Sequence, residues 1–122
     1  FNLVRLEQDL ADVHERLSGV VIECLDFRDF IRRYDREKAL FYLDPPYWNC
    51  EGDYGKELFK RSDFDDLAAL LKGLKGRFIL SLNDVPEVCE LFAWANIQAV
   101  ETTYSVGGGL KSKRAGEVII SN

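Results

Sequence analysis

The chain contains no methionine, one histidine, three prolines and three cysteines. The lack of any Met, an initiating one included, fits a chain cut from a longer one. Cys24, Cys50 and Cys89 are odd in number and widely spaced, so they point neither to a disulfide framework nor to a zinc ligand set, and reduced thiols are expected. The single His14 sits between charged neighbours on a helical stretch and reads as a surface residue. No apolar run approaches the roughly 20 residues of a membrane span, and residues 1–5 lack the charged-then-apolar order of a signal peptide. A cytoplasmic location without membrane contact is the expectation. Basic residues are also short in supply, with 16 Lys and Arg against 21 Asp and Glu for a net charge of −5. Nothing global therefore attracts a polyanion, and any nucleic-acid contact must be local.

What is present is the material of one modest domain. The 122 residues are 47% hydrophobic, 12% aromatic and 30% charged, enough to bury a core and outside the range of wholesale disorder. Leu3, Leu6, Leu10, Val13 and Leu17 recur at helical spacing and Gly19 follows as a stop, which predicts a helix over 3–18. Residues 20–25 read as a buried strand, and Asp26 can cap a helix that carries Phe27, Phe30, Ile31 and Tyr34 inward. Residues 39–43 form the next strand, read as buried, and a long polar loop covers 48–61. Ser62 with Asp65 resembles a capping box opening a helix that runs to Gly73 and Gly76. Residues 78–82 make a further strand, and Pro86 suits the first turn of a helix reaching Trp94. Strands at 97–106 and 117–121 close the chain as a hairpin around the glycine-rich, basic segment 107–116. The alternation calls for an α/β fold, a mostly parallel sheet with one antiparallel strand and helices on its faces.

The chemistry concentrates at Asp44-Pro45-Pro46-Tyr47, directly after the 39–43 strand. Proline gives no N–H to a ladder, fixes φ, and pushes the residue before it away from helix, so the strand must leave as a stiff extended elbow. Open α/β sheets hold their ligands at such carboxyl ends. A rigid turn alone would require neither Asp44 nor Tyr47. Together they make a clamp for a flat amine: Asp44 accepts one N–H, a carbonyl freed by the prolines accepts the other, and Tyr47 offers a ring to stack on.

With "VVIECLDFRDFI" before it and "FDDLAALLKGLKGRFILSLND" and "GEVIISN" after it, "LFYLDPPY" resembles the carboxyl-terminal half of the Dam-like, class α N6-adenine DNA methyltransferases. The resemblance covers nearly the whole chain and implies a partial Rossmann-like S-adenosylmethionine-dependent methyltransferase fold. Residues 1–122 would be the carboxyl-terminal part of a catalytic domain, without the amino-terminal Phe-x-Gly-x-Gly cofactor loop and most of the target-recognition region. It further implies methyl transfer from S-adenosylmethionine to N6 of a flipped adenine in double-stranded DNA. Asp44 and the Pro45 carbonyl would hold the amine, Pro46 would stiffen the elbow, and Tyr47 would stack on the base. Asp26 and Phe27 would border the cofactor's adenosine, with Asp44 near its methionine end. Gly107, Gly108 and Gly109 precede no helix and do not make the cofactor loop; they read as a hairpin tip. Lys111, Lys113 and Arg114 either touch DNA phosphates or belong to a solvated hairpin, and Lys56 and Lys60 are similarly placed on the loop but mixed with Glu51, Asp53 and Glu57. Trp48 either supports the base pocket or covers core.

Two other readings stay open. The same clamp could serve cytosine N4, an RNA base or a glutamine amide, or the chain could be a non-catalytic remnant that binds DNA or a partner. A missing half would leave the 39–43 strand with an unpaired apolar edge, so self-association, or pairing with that half, is expected.

Overall fold

The computed structural model describes residues 3–52, 55, 58–104 and 113–122. Helix α1 spans Leu3–Leu17, as its periodicity predicts, and the chain turns at Gly19 with the Val20 N–H on the Leu17 carbonyl. Its apolar residues Leu6, Leu10, Val13 and Leu17 remain exposed.

The expected strand at 20–25 does not form. A strand needs a neighbour's backbone groups, and no described strand pairs with this segment. Val21 and Ile22 stand 74% and 82% exposed. The segment is held through Glu23 instead, whose carboxylate accepts from Arg33 at 2.8 Å and from the Tyr34 hydroxyl.

Helix α2, Phe27–Tyr34, begins as predicted at Asp26, whose carboxylate takes the Arg28 N–H at 2.8 Å. Strand β1 (Leu40–Leu43), helix α3 (Arg61–Lys72), strand β2 (Arg77–Asn83), helix α4 (Pro86–Leu91) and the hairpin of β3 (Asn96–Tyr104) and β4 (Lys113–Ser121) follow. The cap of α3 lies two residues earlier than Ser62. Asp63, not Asp65, reaches back to the Lys60 N–H at 2.8 Å, because that carboxylate is also drawn to Arg28. Pro86 occupies the first turn of α4, which stops at Leu91 because the chain tightens through Phe92 into β3. Strand β4 begins at Lys113 rather than 117; pairing with β3 extends it through Lys113, Arg114, Ala115 and Gly116, which carry no strand signature of their own.

The sheet order is β1-β2-β4-β3. Strands β1 and β2 are parallel, and β4 is antiparallel to both β2 and β3. Among the described residues three strands therefore point one way and β4 alone the other, the mixture the sequence calls for, with one strand fewer than expected.

Register divides the sheet into two faces. Phe41, Leu43, Phe78, Leu80, Leu82, Val118 and Ile120 share one, since Phe41 pairs Phe78, Leu43 pairs Leu80, Leu80 pairs Ile120 and Leu82 pairs Val118. This face joins Ile31 of α2, Phe64, Leu67 and Leu71 of α3, and Val88 of α4 in a single core. Each such large side chain removed from water contributes about 1.5–3 kcal/mol. The expectation that β1 is a buried strand holds on this face and fails on the other: Leu40 and Tyr42 are 64% and 68% exposed. No described helix covers them, and β1 is the edge of the sheet.

At the far end of β1 and β2, Gly76 is needed for close approach. A Cβ there would come within 2.7 Å of the Ala39 carbonyl oxygen. Asn122 ties that end by accepting from the Phe78 N–H and donating to the Gly76 carbonyl. Among the described residues no helix is long and apolar enough to cross a membrane, and the three cysteines are free thiols.

Candidate active site

The last ladder pair of β1 and β2 is Leu43 with Leu80, so the next residues, Asp44 and Ser81, stand opposite one another. The Ser81 hydroxyl donates to Asp44 Oδ1 at 3.1 Å. The prolines then carry the chain across the ends of β2 and β4. There the Tyr47 hydroxyl donates to Glu117 Oε1, and Asn83 holds the Trp48 backbone at both polar groups, accepting its N–H at 2.8 Å and donating to its carbonyl at 3.2 Å. A turn closes with the Cys50 N–H on the Tyr47 carbonyl at 2.8 Å. Asn49 takes φ 71° within it, a conformation Asn tolerates better than most residues.

Trp48 lies against Phe64, ring centroids 5.0 Å apart, and the Arg61 guanidinium covers it at 3.8 Å. Arg61 also donates to Asn49 at 2.6 Å and pairs with Glu51 at 2.7 Å. Trp48 thus couples the elbow to the first turns of α3, a packing duty rather than an outward one.

Beside the elbow, a groove of about 370 Å³ is lined by Glu23, Leu25, Phe27, Phe30, Tyr42, Leu43, Asp44, Pro45, Phe59 and Leu67. It brings Phe27, Asp44 and Pro45 together, and sequence reasoning did not place Glu23, Phe30 or Phe59 there. Phe27 and Phe59 meet at 5.8 Å and Phe59 meets Phe64 at 4.9 Å, so the aromatic wall is continuous with the core. Asp26 is not among the lining residues. Its carboxylate is engaged by the Arg28 backbone and guanidinium.

Arg28 fixes this wall. Its guanidinium bonds Asp66 and Asp63 of α3 as well as Asp26, and these bonds, Asp66 foremost, raise its pKa still further. Burial pushes Asp63 up, but the Lys60 N–H and the Arg28 guanidinium outweigh it and hold the carboxyl below its ordinary value.

The DNA-facing candidates divide. Lys56, Lys111 and the glycines 107–109 lie outside the described residues. Lys60 precedes α3 as its cap. Lys113 and Arg114 open β4, paired with Tyr104 and Thr103. From the Asn83–Glu117 pair at the end of β2, the hairpin continues through Glu101–Gly116, Thr102–Ala115, Thr103–Arg114 and Tyr104–Lys113. At about 3.4 Å per residue it runs about 14 Å beyond β2, at the same end of the sheet as the elbow.

Ser81, Asn83 and Glu117 are contacts that the sequence reading missed. A faint signal existed: in "FILSLN" two polar residues alternate with fully buried leucines, which places them together on one face. No curated protein matches the chain. A profile of the D12 class N6 adenine-specific DNA methyltransferases matches residues 3–106, well over half of the sequence, and the chain belongs to that methyltransferase family.

Proposed function

We propose that the 44–47 elbow holds the exocyclic amine of an adenine turned out of double-stranded DNA while a methyl group passes to N6 from S-adenosylmethionine. On this reading residues 1–122 form the carboxyl-terminal part of a Rossmann-like catalytic domain. The observation that carries it is geometric. Asp44 and Tyr47 are each tied by a side chain of a central strand, and Asp44 opens onto a groove walled by Phe27.

Asp44 and the Pro45 carbonyl each accept one N–H of the amine, which aims the nitrogen lone pair away from the ring and toward the donor. Pro46 stiffens the elbow, and Tyr47 supplies the stacking surface, an interaction worth about 1–3 kcal/mol per base. No nucleophile or general base on His is required, because orientation and electrostatic complementarity supply the acceleration. The groove suits the cofactor: Phe27, Phe30 and Phe59 offer aromatic faces to an adenine, and Glu23 and Asp44 offer carboxylates to hydroxyls and to a cation. When bound, S-adenosylmethionine supplies an electrophilic methyl group on a sulfonium. Asp26 acts by capping α2 and so placing Phe27. Lys56, Lys60, Lys111, Lys113 and Arg114 serve phosphates, and Trp48 fixes the turn that follows the elbow.

The test is methyl transfer by the enzyme that carries this chain, with the product identified by mass spectrometry. N6-methyladenine is expected, and Asp44→Ala should abolish it while cofactor binding stays measurable. Near-parental N6-methyladenine from Asp44→Ala would end this reading. Methyl on cytosine N4, RNA or a protein amide would redirect it.

A further inference from the structure

The side chains that tie the elbow come from distant sequence and one surface. Ser81 and Asn83 are two apart on β2 and so face the same side; Asn83 pairs in register with Glu117, which shares that side. Each reaches a different part of the segment 44–48: Ser81 the Asp44 carboxylate, Glu117 the Tyr47 hydroxyl, and Asn83 the Trp48 backbone. Ser81 and Glu117 are each only 8% exposed. Burying a hydroxyl and a carboxylate is costly unless they are hydrogen-bonded, and apolar side chains would serve a sheet better at such positions. Their presence there asks for a purpose other than packing.

We propose that Ser81, Asn83 and Glu117 form one positioning shelf that sets the pose of Asp44 and Tyr47 against the amine; this rests on the elbow being the amine clamp. Ser81 engages Oδ1 of Asp44 and so directs Oδ2 toward the amine N–H. Glu117 holds the far end of the phenol and so fixes the tilt of the ring on which the base stacks. Asn83, gripping Trp48 at both backbone groups, sets how far the elbow stands from β2. None of the three touches the reacting atoms.

The expected signature is kinetic. In the enzyme carrying this chain, Ser81→Ala should lower kcat about 10- to 100-fold, the penalty for misplacing a reacting group by a fraction of an ångström to about an ångström, with KM for DNA nearly unchanged. Ser81→Thr, which keeps the hydroxyl, should recover most of it. Should the Ala form fail to fold, Ser81→Cys, close in size and a weaker donor, carries the same expectation. Glu117→Leu should cost turnover in the parent but little more once Tyr47→Phe has removed the hydroxyl it holds, whereas a merely structural Glu117 would cost the same in both backgrounds.

Asp44→Ala in the same assay separates the two ideas. If it retains activity, the clamp falls and the shelf with it. If it is inactive while Ser81→Ala and Glu117→Leu turn over like the parent well below their melting temperatures, the clamp stands and the shelf is overturned.

Discussion

Phe41 and Tyr42 are neighbours on β1, yet one is 5% exposed and the other 68%. The difference runs across the whole sheet. On Phe41's face, side chains from α2, α3 and α4 complete a closed apolar core. On Tyr42's face, register carries the row through Ile79 to Ser81, Asn83 and Glu117, so the side chains that tie the elbow rise from the opposite face, while the groove beside it is walled by Phe27 and Phe30 of α2 and Leu67 of α3. One face closes the core and the other carries the polar groups that hold the elbow. That separation lets polar side chains sit at central strand ends without interrupting the core.

The two faces should respond very differently to the loss of a large residue. Phe64→Ala, in the closed core, should cost about 3–5 kcal/mol, a large part of the roughly 5–15 kcal/mol that holds a typical domain together. Tyr42→Ser, on the open face, should stay within about 0.5 kcal/mol. Urea denaturation of the 122-residue chain reads both. Equal losses would show that the open face is as closely packed as the core, contrary to the division drawn between them.

Acid sharpens the same contrast, because the covered side is fastened by charge as well as by packing. Asp63 joins α3 to α2 through Arg28, and its carboxyl is held below the ordinary value. A depressed folded pKa contributes stability that is fully present above the unfolded value, about 3.9, and is lost as pH falls through the folded one. Below about pH 4 the parent should therefore lose stability more steeply than Asp63→Asn, measured as the urea midpoint against pH. Parallel curves would mean that the Asp63–Arg28 contact carries no pH-dependent stability. The effect should be modest, since Asp26 and Asp66 share the same guanidinium.

Much of this arrangement was legible because its causes are local. The 3–4 spacing in α1, the Asp26 cap, Pro86 at the start of α4 and the closing hairpin each follow from residues near one another. The elbow was legible for the same reason, since two prolines impose its shape wherever they fall. The segment 20–25 has the composition of a strand, but a strand is a relation between two chains of backbone, and no described strand pairs with it. The α3 cap was misplaced because Ser62 is the better cap in isolation, whereas Arg28, 35 residues away, rewards Asp63. Ser81 and Glu117 lie 37 and 70 residues from the elbow residues they hold. Alternation announces such contacts only as polarity, and register must supply the rest.

The smallest effect on folding, and the most telling for the open side, concerns the edge of β1. Leu40 and Tyr42 are exposed there, and the strand pairs only with β2 among the described residues. An exposed apolar edge presents unpaired backbone groups as a template for another strand. In a solution of the purified 122-residue chain the available partner is a second copy, so the chain should self-associate through β1 as its concentration rises. Tyr42→Lys places a charge on that edge, which should shift sedimentation toward monomer while changing monomer stability by no more than about 0.5 kcal/mol. A parent that stays monomeric at millimolar concentration would show that the edge is already satisfied. Association undiminished by the lysine would place the contact elsewhere, with the exposed apolar side of α1 the next surface to alter.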